Sequence, residues 1–317
     1  MFDSEYLAAM EMILASGVAR LPERFRAAQG DYLLGLQRSD GGFPGPAGGA
    51  ADLYYTRFAL QGLQVLDAAG AEGVWQRAAD YLRGLPSPSG VVDALSFLHA
   101  AAIVKSCGDV AEAEILTEAR AGEIRALLSD CRAADGGFAA TADVAARSGE
   151  GGTYHTFLAA LCYNLLGEAM PEERRAVELV LARRTADGGF AESAEARVGQ
   201  TNPTAAAVGL LTLAGALDEG VAEGVGRFVA SMQSADGGLR AHAGAATSDL
   251  LSTFTGLYTV AMLDVVRSVR LADLGRFVRS LSASGGGFRG APAATQTDVE
   301  YTFYGLATLG LLALAVN

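Results

Sequence analysis

The chain has 317 residues, 50% of them hydrophobic and 19% charged, with 40 glycines and a net charge of −12 at pH 7. Glycine is well above its usual share of roughly 7%, yet half the residues are apolar, which excludes disorder, and the lack of a Gly-X-Y period excludes collagen. The acidic balance and the absence of any basic run argue against nucleic acid as a partner and disfavour anionic membrane surfaces, since both need a basic face.

In chain order, residues 1–20 read as an extra N-terminal helix, and the opening Met-Phe-Asp-Ser-Glu-Tyr lacks the positive region of a signal peptide. The first turn signal is Asp40-Gly41-Gly42-Phe43. It recurs as Asp135-Gly136-Gly137-Phe138, Asp187-Gly188-Gly189-Phe190 and Asp236-Gly237-Gly238-Leu239, and in reduced form as Gly285-Gly286-Gly287-Phe288. The steps are 95, 52, 49 and 49 residues, and Ser87-Pro88-Ser89-Gly90-Val91 stands midway along the long one. Six units of about 49 residues therefore fill a single domain of residues 1–317.

Within each unit a charged amphipathic segment precedes the glycines, as at residues 171–184 and 270–282. After a loop comes a more apolar segment, as at 205–217 and 303–316. Apolar runs of this length without period-2 alternation are helices, the first with a wet face and the second nearly all buried. Asp-Gly-Gly supplies the positive-φ residues of a sharp turn, and the Phe that follows anchors it. A helical hairpin cannot bury both faces alone, so it stacks or closes on itself. Six pairs with a very apolar second helix predict an all-α (α/α)6 toroid, six inner helices surrounded by six outer ones. The longest uncharged run, Tyr301 to Asn317, is broken by Thr302, Tyr304, Gly305 and Thr308, and reads as the last buried helix rather than a membrane span. Cys107, Cys131 and Cys162 are too scattered for a disulfide framework or a metal site, and predict free thiols in a reducing, cytoplasmic compartment.

The second helices share a start. It reads Asp52-Leu53-Tyr54-Tyr55-Thr56 in unit one, Asp249-Leu250-Leu251-Ser252-Thr253 in unit five and Asp298-Val299-Glu300-Tyr301-Thr302 in unit six. Units three and four carry Gly152-Thr153-Tyr154-His155-Thr156 and Gln200-Thr201-Asn202-Pro203-Thr204. The aspartates are good N-caps, and Pro203 suits a first turn. Parallel inner helices bring their N-termini to one end of a cavity, where free N–H groups favour an anion. The residues therefore predict a greasy pocket with an anion-friendly mouth, suited to an amphiphile with an apolar tail and a phosphate head. Asp52, Tyr55, Tyr154, Asn202 and Tyr301 are expected at that ligand, with Arg147 and Arg197 reaching in from the rim loops. The plain alternatives stay open: capping for the aspartates, solvation for the arginines. His155 is the best placed of the three histidines for a general base or phosphate partner.

The motif Gln37-Arg38-Ser39-Asp40-Gly41-Gly42-Phe43, with D-x-x-x-T-x-x-x-L as in Asp298 to Leu306, resembles the protein prenyltransferase β-subunit and class II terpene cyclase superfamily over nearly the whole chain. The resemblance implies an isoprenoid-handling protein that binds a prenyl diphosphate in the central cavity and transfers the prenyl group. Its alternatives are a class II-type cyclase and a non-catalytic toroid that binds a lipid or a partner. The transferases imply a zinc ion held by an Asp, a Cys two residues later and a His. The Asp position falls on Asp249, the Cys position on Leu251 and the His position on Tyr301, so two of the three ligands are absent. Tyr154 takes the place of the family's diphosphate-binding arginine. The cyclases imply an acid at the sixth helix start, which makes Glu300 the proton donor with Asp298 beside it. Such a carboxyl must be kept neutral by burial, and Glu300 is equally an N3 acid of a helix cap. The resemblance further implies a helical partner subunit or self-association.

Overall fold

The computed structural model describes residues 6–46, 48–108, 110–111 and 114–315. The first five residues of the expected N-terminal helix and the last two of the final apolar segment lie outside the described residues. Two helices stand apart from the hairpins: α1 (Tyr6–Val18), and α7 (Ala142–Ser148) within the loop of the third unit. The six hairpins follow in chain order as α2 (Glu23–Leu34) with α3 (Leu53–Leu66), α4 (Glu72–Gly84) with α5 (Val91–Cys107), and α6 (Glu118–Asp130) with α8 (Thr153–Leu165). Then come α9 (Glu173–Ala182) with α10 (Thr201–Leu213), α11 (Glu219–Met232) with α12 (Leu250–Met262), and α13 (Leu271–Leu281) with α14 (Val299–Ala315). The strands described are β1 (Phe43–Pro44) and β2 (Ala51–Asp52), an antiparallel pair between α2 and α3. No described helix is long and apolar enough to cross a membrane.

Each glycine turn is built the same way. Gly41, Gly136, Gly188 and Gly237 hold φ between 90° and 97°, a left-handed region that strains any residue with a Cβ. The aspartate before each accepts the next N–H: Gly42 to Asp40 at 3.1 Å, Gly137 to Asp135 at 2.9 Å, Gly189 to Asp187 at 3.1 Å and Gly238 to Asp236 at 3.0 Å. The apolar residue that follows is fully buried, and its N–H donates to the threonine of the coming helix. These bonds run from Phe43 to Thr56, Phe138 to Thr156, Phe190 to Thr204, Leu239 to Thr253 and Phe288 to Thr302, at 2.9 to 3.2 Å. The threonine of the sequence signature is thus the bolt between turn and helix. In the sixth unit Gly285 has no carboxylate, and Gln29 of α2 takes the Gly287 N–H instead, at 2.8 Å.

Several boundaries differ from the sequence expectation; the segment expected at 303–316, for one, begins at Val299. The helix expected at 205–217 begins at Thr201 and ends at Leu213, because Thr201 to Thr204 form its first turn and Gly215, at φ 62°, lies just past its end. The loop of the third unit contains α7, capped by Thr141 and closed by Gly149 at φ 66°.

Cα packing divides the chain into two compact units. Of the described residues, one comprises 6, 89–92 and 126–277; here α10 lies between α8 and α12, and α9 and α11 cover their outer sides. The Tyr6 ring packs edge-on against Phe157 of α8. The other comprises the described residues within 7–88, 93–125 and 278–315; here α3 runs beside α14, and α2 packs on α3. In this unit α1 touches α14 backbone to backbone, since no side chain fits at Gly17 against the Gly310 carbonyl.

Candidate functional site

The second unit gathers carboxyls, aromatic rings and one cation where α3 and α14 begin. Asp52 and Asp298 cap the two helices, accepting the N–H of Tyr55 at 3.2 Å and of Tyr301 at 2.8 Å. Capping fixes the helix phase, so Tyr54, Arg57 and Phe58 of α3 come beside Glu300, Phe303 and Tyr304 of α14. The Tyr54 hydroxyl donates to Glu300 Oε1 at 2.7 Å. Burial pushes the Glu300 carboxyl above its ordinary value, and the hydroxyls of Tyr54 and Tyr304 and the charge of Arg57 only partly oppose this. Burial likewise pushes Asp298 up to about 6, with the neighbouring Glu300 adding to the rise. Tyr55 is raised by its own burial, with the charges of Glu300, Asp298 and Asp52 adding to the rise.

The walls are aromatic. Phe58 meets Tyr54 at 5.0 Å, Tyr304 at 5.2 Å and Phe303 at 5.8 Å between ring centres, and Tyr301 meets Tyr304 at 6.2 Å. The Arg57 guanidinium carbon rests 3.9 Å above the Phe58 ring, and its Nε is buried with no hydrogen-bond partner among the described residues. The arrangement is a carboxyl whose neutral form is favoured by burial among π-faces, with two hydroxyls and a guanidinium beside it that favour its charged form.

Asp298, Glu300, Tyr301, Asp52 and Tyr55 thus stand together in one unit. His155, Tyr154, Asp249, Asn202, Arg147 and Arg197 belong to the other. There, Glu192 covers the start of α8: its Oε2 accepts the Tyr154 N–H at 3.0 Å, and its Oε1 lies 3.7 Å from His155 Nδ1. Buried Arg183 braces this corner through the carbonyls of Gly151 and Glu192, both at 2.6 Å. Asn202 is half-buried in the first turn of α10. Arg147 is exposed and paired with Asp143 one turn before it. Arg197 is exposed and lines a cavity of about 510 Å³ with Asp135, Arg183 and Arg184. The first-turn N–H groups of Tyr55, Tyr154, Ser252 and Tyr301 all donate to carboxylates of the chain itself, so at these four helices the donors expected to face an anion already have partners.

Asp249 caps α12, accepting the N–H and hydroxyl of Ser252 at 2.7 and 2.8 Å, and burial raises its carboxyl. The other two positions of the implied zinc site hold an aliphatic side chain, Leu251, and a phenol, Tyr301. No group of three or more His, Cys, Asp or Glu side chains among the described residues could hold a metal ion. This donor set does not fit zinc, which needs thiolate or imidazole beside the carboxylate.

Sequence reasoning missed Tyr54, Arg57, Tyr304, Arg183 and Glu192. The first two lie in the stretch Asp52-Leu53-Tyr54-Tyr55-Thr56-Arg57, but which of two adjacent tyrosines reaches a neighbouring helix depends on helix phase, which spacing alone leaves open. Glu192 carries no local signal, because it acts on a helix 38 residues away.

Solved structures share this fold. A variant of the type II terpene cyclase MstE from Scytonema, in complex with its substrate geranylgeranyl dihydroxybenzoate, is 16% identical, with TM-score 0.63 over 98% of this chain and 99% of that one. Protein geranylgeranyltransferase-I of Candida albicans, complexed with GGPP, is 15% identical, with TM-score 0.62 over 96% and 90%. An alpha-1,6-mannanase of Salegentibacter sp. HEL1_6 is 12% identical, with TM-score 0.57 over 92% and 98%, so the likeness speaks to fold and not to chemistry. No curated protein matches the chain. The sequence profile of the prenyltransferase alpha-alpha toroid domain matches residues 8–82, 84–220 and 162–316. All-α, built of glycine-turn hairpins and matched by that profile along nearly its whole length, the chain belongs to the prenyltransferase alpha-alpha toroid domain family.

Proposed function

We propose that this protein binds an isoprenoid and cyclises it by protonating an alkene, with Glu300 as the acid. The observation that carries the reading is the Glu300 carboxyl itself, raised by burial among Tyr54, Phe58, Phe303 and Tyr304. The π electrons of the alkene take the carboxyl proton, so a C–H bond forms, the O–H bond breaks, and a tertiary carbocation results. The next alkene of the chain attacks it, its π bond becoming the C–C bond of the ring. The last cation loses a proton to leave an olefin, and solvent returns a proton to Glu300. The charge left on Glu300 meets the hydroxyls of Tyr54 and Tyr304 and the Arg57 guanidinium, while the rings offer cation–π contact to the carbocation. The likeness to MstE supports an isoprenoid tail as the class of substrate. Zinc-dependent transfer gains no support from Asp249, Leu251 and Tyr301. Three free cysteines support a reducing, cytoplasmic setting, and the partner subunit or second copy implied by the resemblance is read by light scattering of the purified chain.

The test is incubation with squalene and with geranylgeranyl diphosphate, followed by mass spectrometry of the products. Cyclised product is expected from the wild type, with a fall of about 10²–10⁴-fold in Glu300→Gln, the usual worth of a general acid. Cyclisation that survives at full rate in Glu300→Gln, or a wild type that leaves both substrates intact, overturns the reading.

A further inference from the structure

The loop after the fourth unit's glycine turn is pinned at both ends. At its start the Phe190 N–H donates to the Thr204 hydroxyl at 2.9 Å. At its close the Gly199 N–H donates to Asp187 Oδ2 at 2.9 Å, and the Gln200 N–H to the Phe190 carbonyl at 3.0 Å. Between these pins, Ser193, Ala194, Ala196 and Arg197 form one wall of the cavity of about 510 Å³, and the end of α9 forms another. Every residue lining it belongs to the unit that holds 126–277. Cavities that take a small molecule run from about 300 to 1,000 Å³.

Three guanidiniums and one carboxylate line this space. Arg183 and Asp135 answer each other. Arg183 gives its nitrogens to the Gly151 and Glu192 carbonyls and stands 3.6 Å from Asp135 Oδ2, while Asp135 takes the N–H groups of Gly137 and Gly151. Arg184 and Arg197 have no carboxylate within ion-pair distance among the described residues. Arg184 is anchored by one nitrogen: its Nη2 donates to the Gly220 carbonyl at 2.5 Å and lies where a Cβ on Gly224 would meet it. That anchor fixes the guanidinium plane, and Nε and Nη1 make no hydrogen bond among the described residues. Nor do the exposed Arg197 guanidinium and the half-buried Ser193 hydroxyl. Two positive charges are thus left unmatched in one cavity of a chain whose net charge is −12.

We propose that this cavity binds the phosphate group of a small ester with a short apolar body. A phosphate monoester presents three terminal oxygens, and two guanidiniums and a hydroxyl are here to meet them, whereas a carboxylate has only two. The planar fork of arginine suits phosphate, and a guanidinium already held in place loses less freedom on binding. The apolar body rests on Leu179, Ala182, Ala194 and Ala196, where alanines leave the room that larger side chains would fill. Binding makes and breaks no covalent bond. It stands apart from the acid reading of Glu300, which belongs to the other unit.

Isothermal titration of the full chain with hexyl phosphate, inorganic phosphate and hexanoate tests this. One site for hexyl phosphate is expected. Inorganic phosphate, without the apolar body, and hexanoate, without the third oxygen, should bind about tenfold more weakly or worse. Arg197→Gln, at an exposed position that makes no contact the fold needs, should weaken hexyl phosphate about tenfold, and Arg184→Gln added to it should weaken it further. Ala196→Phe keeps both guanidiniums but fills the cavity, and should weaken hexyl phosphate while the melting temperature holds. A wild type that does not bind hexyl phosphate overturns the proposal, and Arg184 and Arg197 are then solvated charges only. Hexanoate or inorganic phosphate bound as tightly as hexyl phosphate, or wild-type affinity in Arg197→Gln with Arg184→Gln, overturns it as well.

Discussion

Glu300 sits between opposed forces. Burial favours its neutral form, while Tyr54, Tyr304 and Arg57 wait for its charged one. An acid strong enough for an alkene needs both, a proton kept until the substrate arrives and a place for the charge afterwards. Tyr54→Phe removes the 2.7 Å bond to Oε1 without changing the ring. A hydrogen bond to a charged group is worth about 1.5–3 kcal/mol, so cyclisation should slow by about 10–100-fold with the product unchanged. A rate within twofold of wild type would mean that the phenol does not bear on the acid.

Asp298 gives a second prediction at this scale, in stability. Its carboxyl is raised to about 6 in the folded chain from 3.8 in the unfolded one. The native state therefore holds a proton that the unfolded chain releases. The stability this confers is complete below pH 3.8 and is lost as the pH rises through about 6. Asn at position 298 still caps α14 but does not titrate. The melting temperature of the wild type should fall more between pH 4 and pH 7 than that of Asp298→Asn. Parallel curves would show that the group titrates normally.

The elements obey a small rule with one exception, and the exception is a test. In four turns the aspartate holds the N–H two residues on; in the sixth, Gln29 does so from α2. Gln29→Ala orphans a buried N–H and should cost about 1–3 kcal/mol in urea unfolding. Adding Gly285→Asp, where a Cβ meets nothing within 4 Å, should recover part of that loss by restoring the arrangement of the other turns. No recovery would mean that the sixth turn differs in more than its missing carboxylate. The turn-to-helix bond is read the same way: Thr204→Val keeps the shape but deprives the Phe190 N–H of its 2.9 Å partner, at a similar cost. These positions were legible in the sequence as a pattern, since Asp-Gly-Gly-Phe and the helix threonine recur at fixed spacing. Their bond was not legible, because Phe and Thr meet only after the loop between them has closed. The helix α7 escaped notice because a seven-residue helix inside a loop shows too little periodicity to separate from its surroundings.

For the molecule as a whole, the fold leaves the chemistry to the residues it carries, as the distance between a terpene cyclase and a mannanase of the same fold makes plain. With Leu251 and Tyr301 at two of three ligand positions, the purified chain should hold less than stoichiometric zinc by elemental analysis, and EDTA should leave its melting temperature unchanged. One tightly held zinc per chain would bring the transferase chemistry back. Burial is no guide here, because Asp249 is buried and hydrogen-bonded as a helix cap whether or not a metal is near.

By itself the sequence determined the all-α class, the six hairpins and the places where the chain turns. Those features rest on short-range physics: φ above zero admits glycine, a carboxylate two residues away reaches an N–H, and apolar runs of helical length must be covered. It also marked Asp298, because it begins a helix that repeats others, and the resemblance to the cyclases marked Glu300. Only the tertiary structure decided that Tyr54 rather than Tyr55 reaches Glu300, that Arg57 lies on Phe58, and that Gln29 replaces a missing aspartate. It alone brought Glu11 to His99 across 88 residues. Such pairings depend on helix phase and on which faces meet, and sequence spacing carries neither.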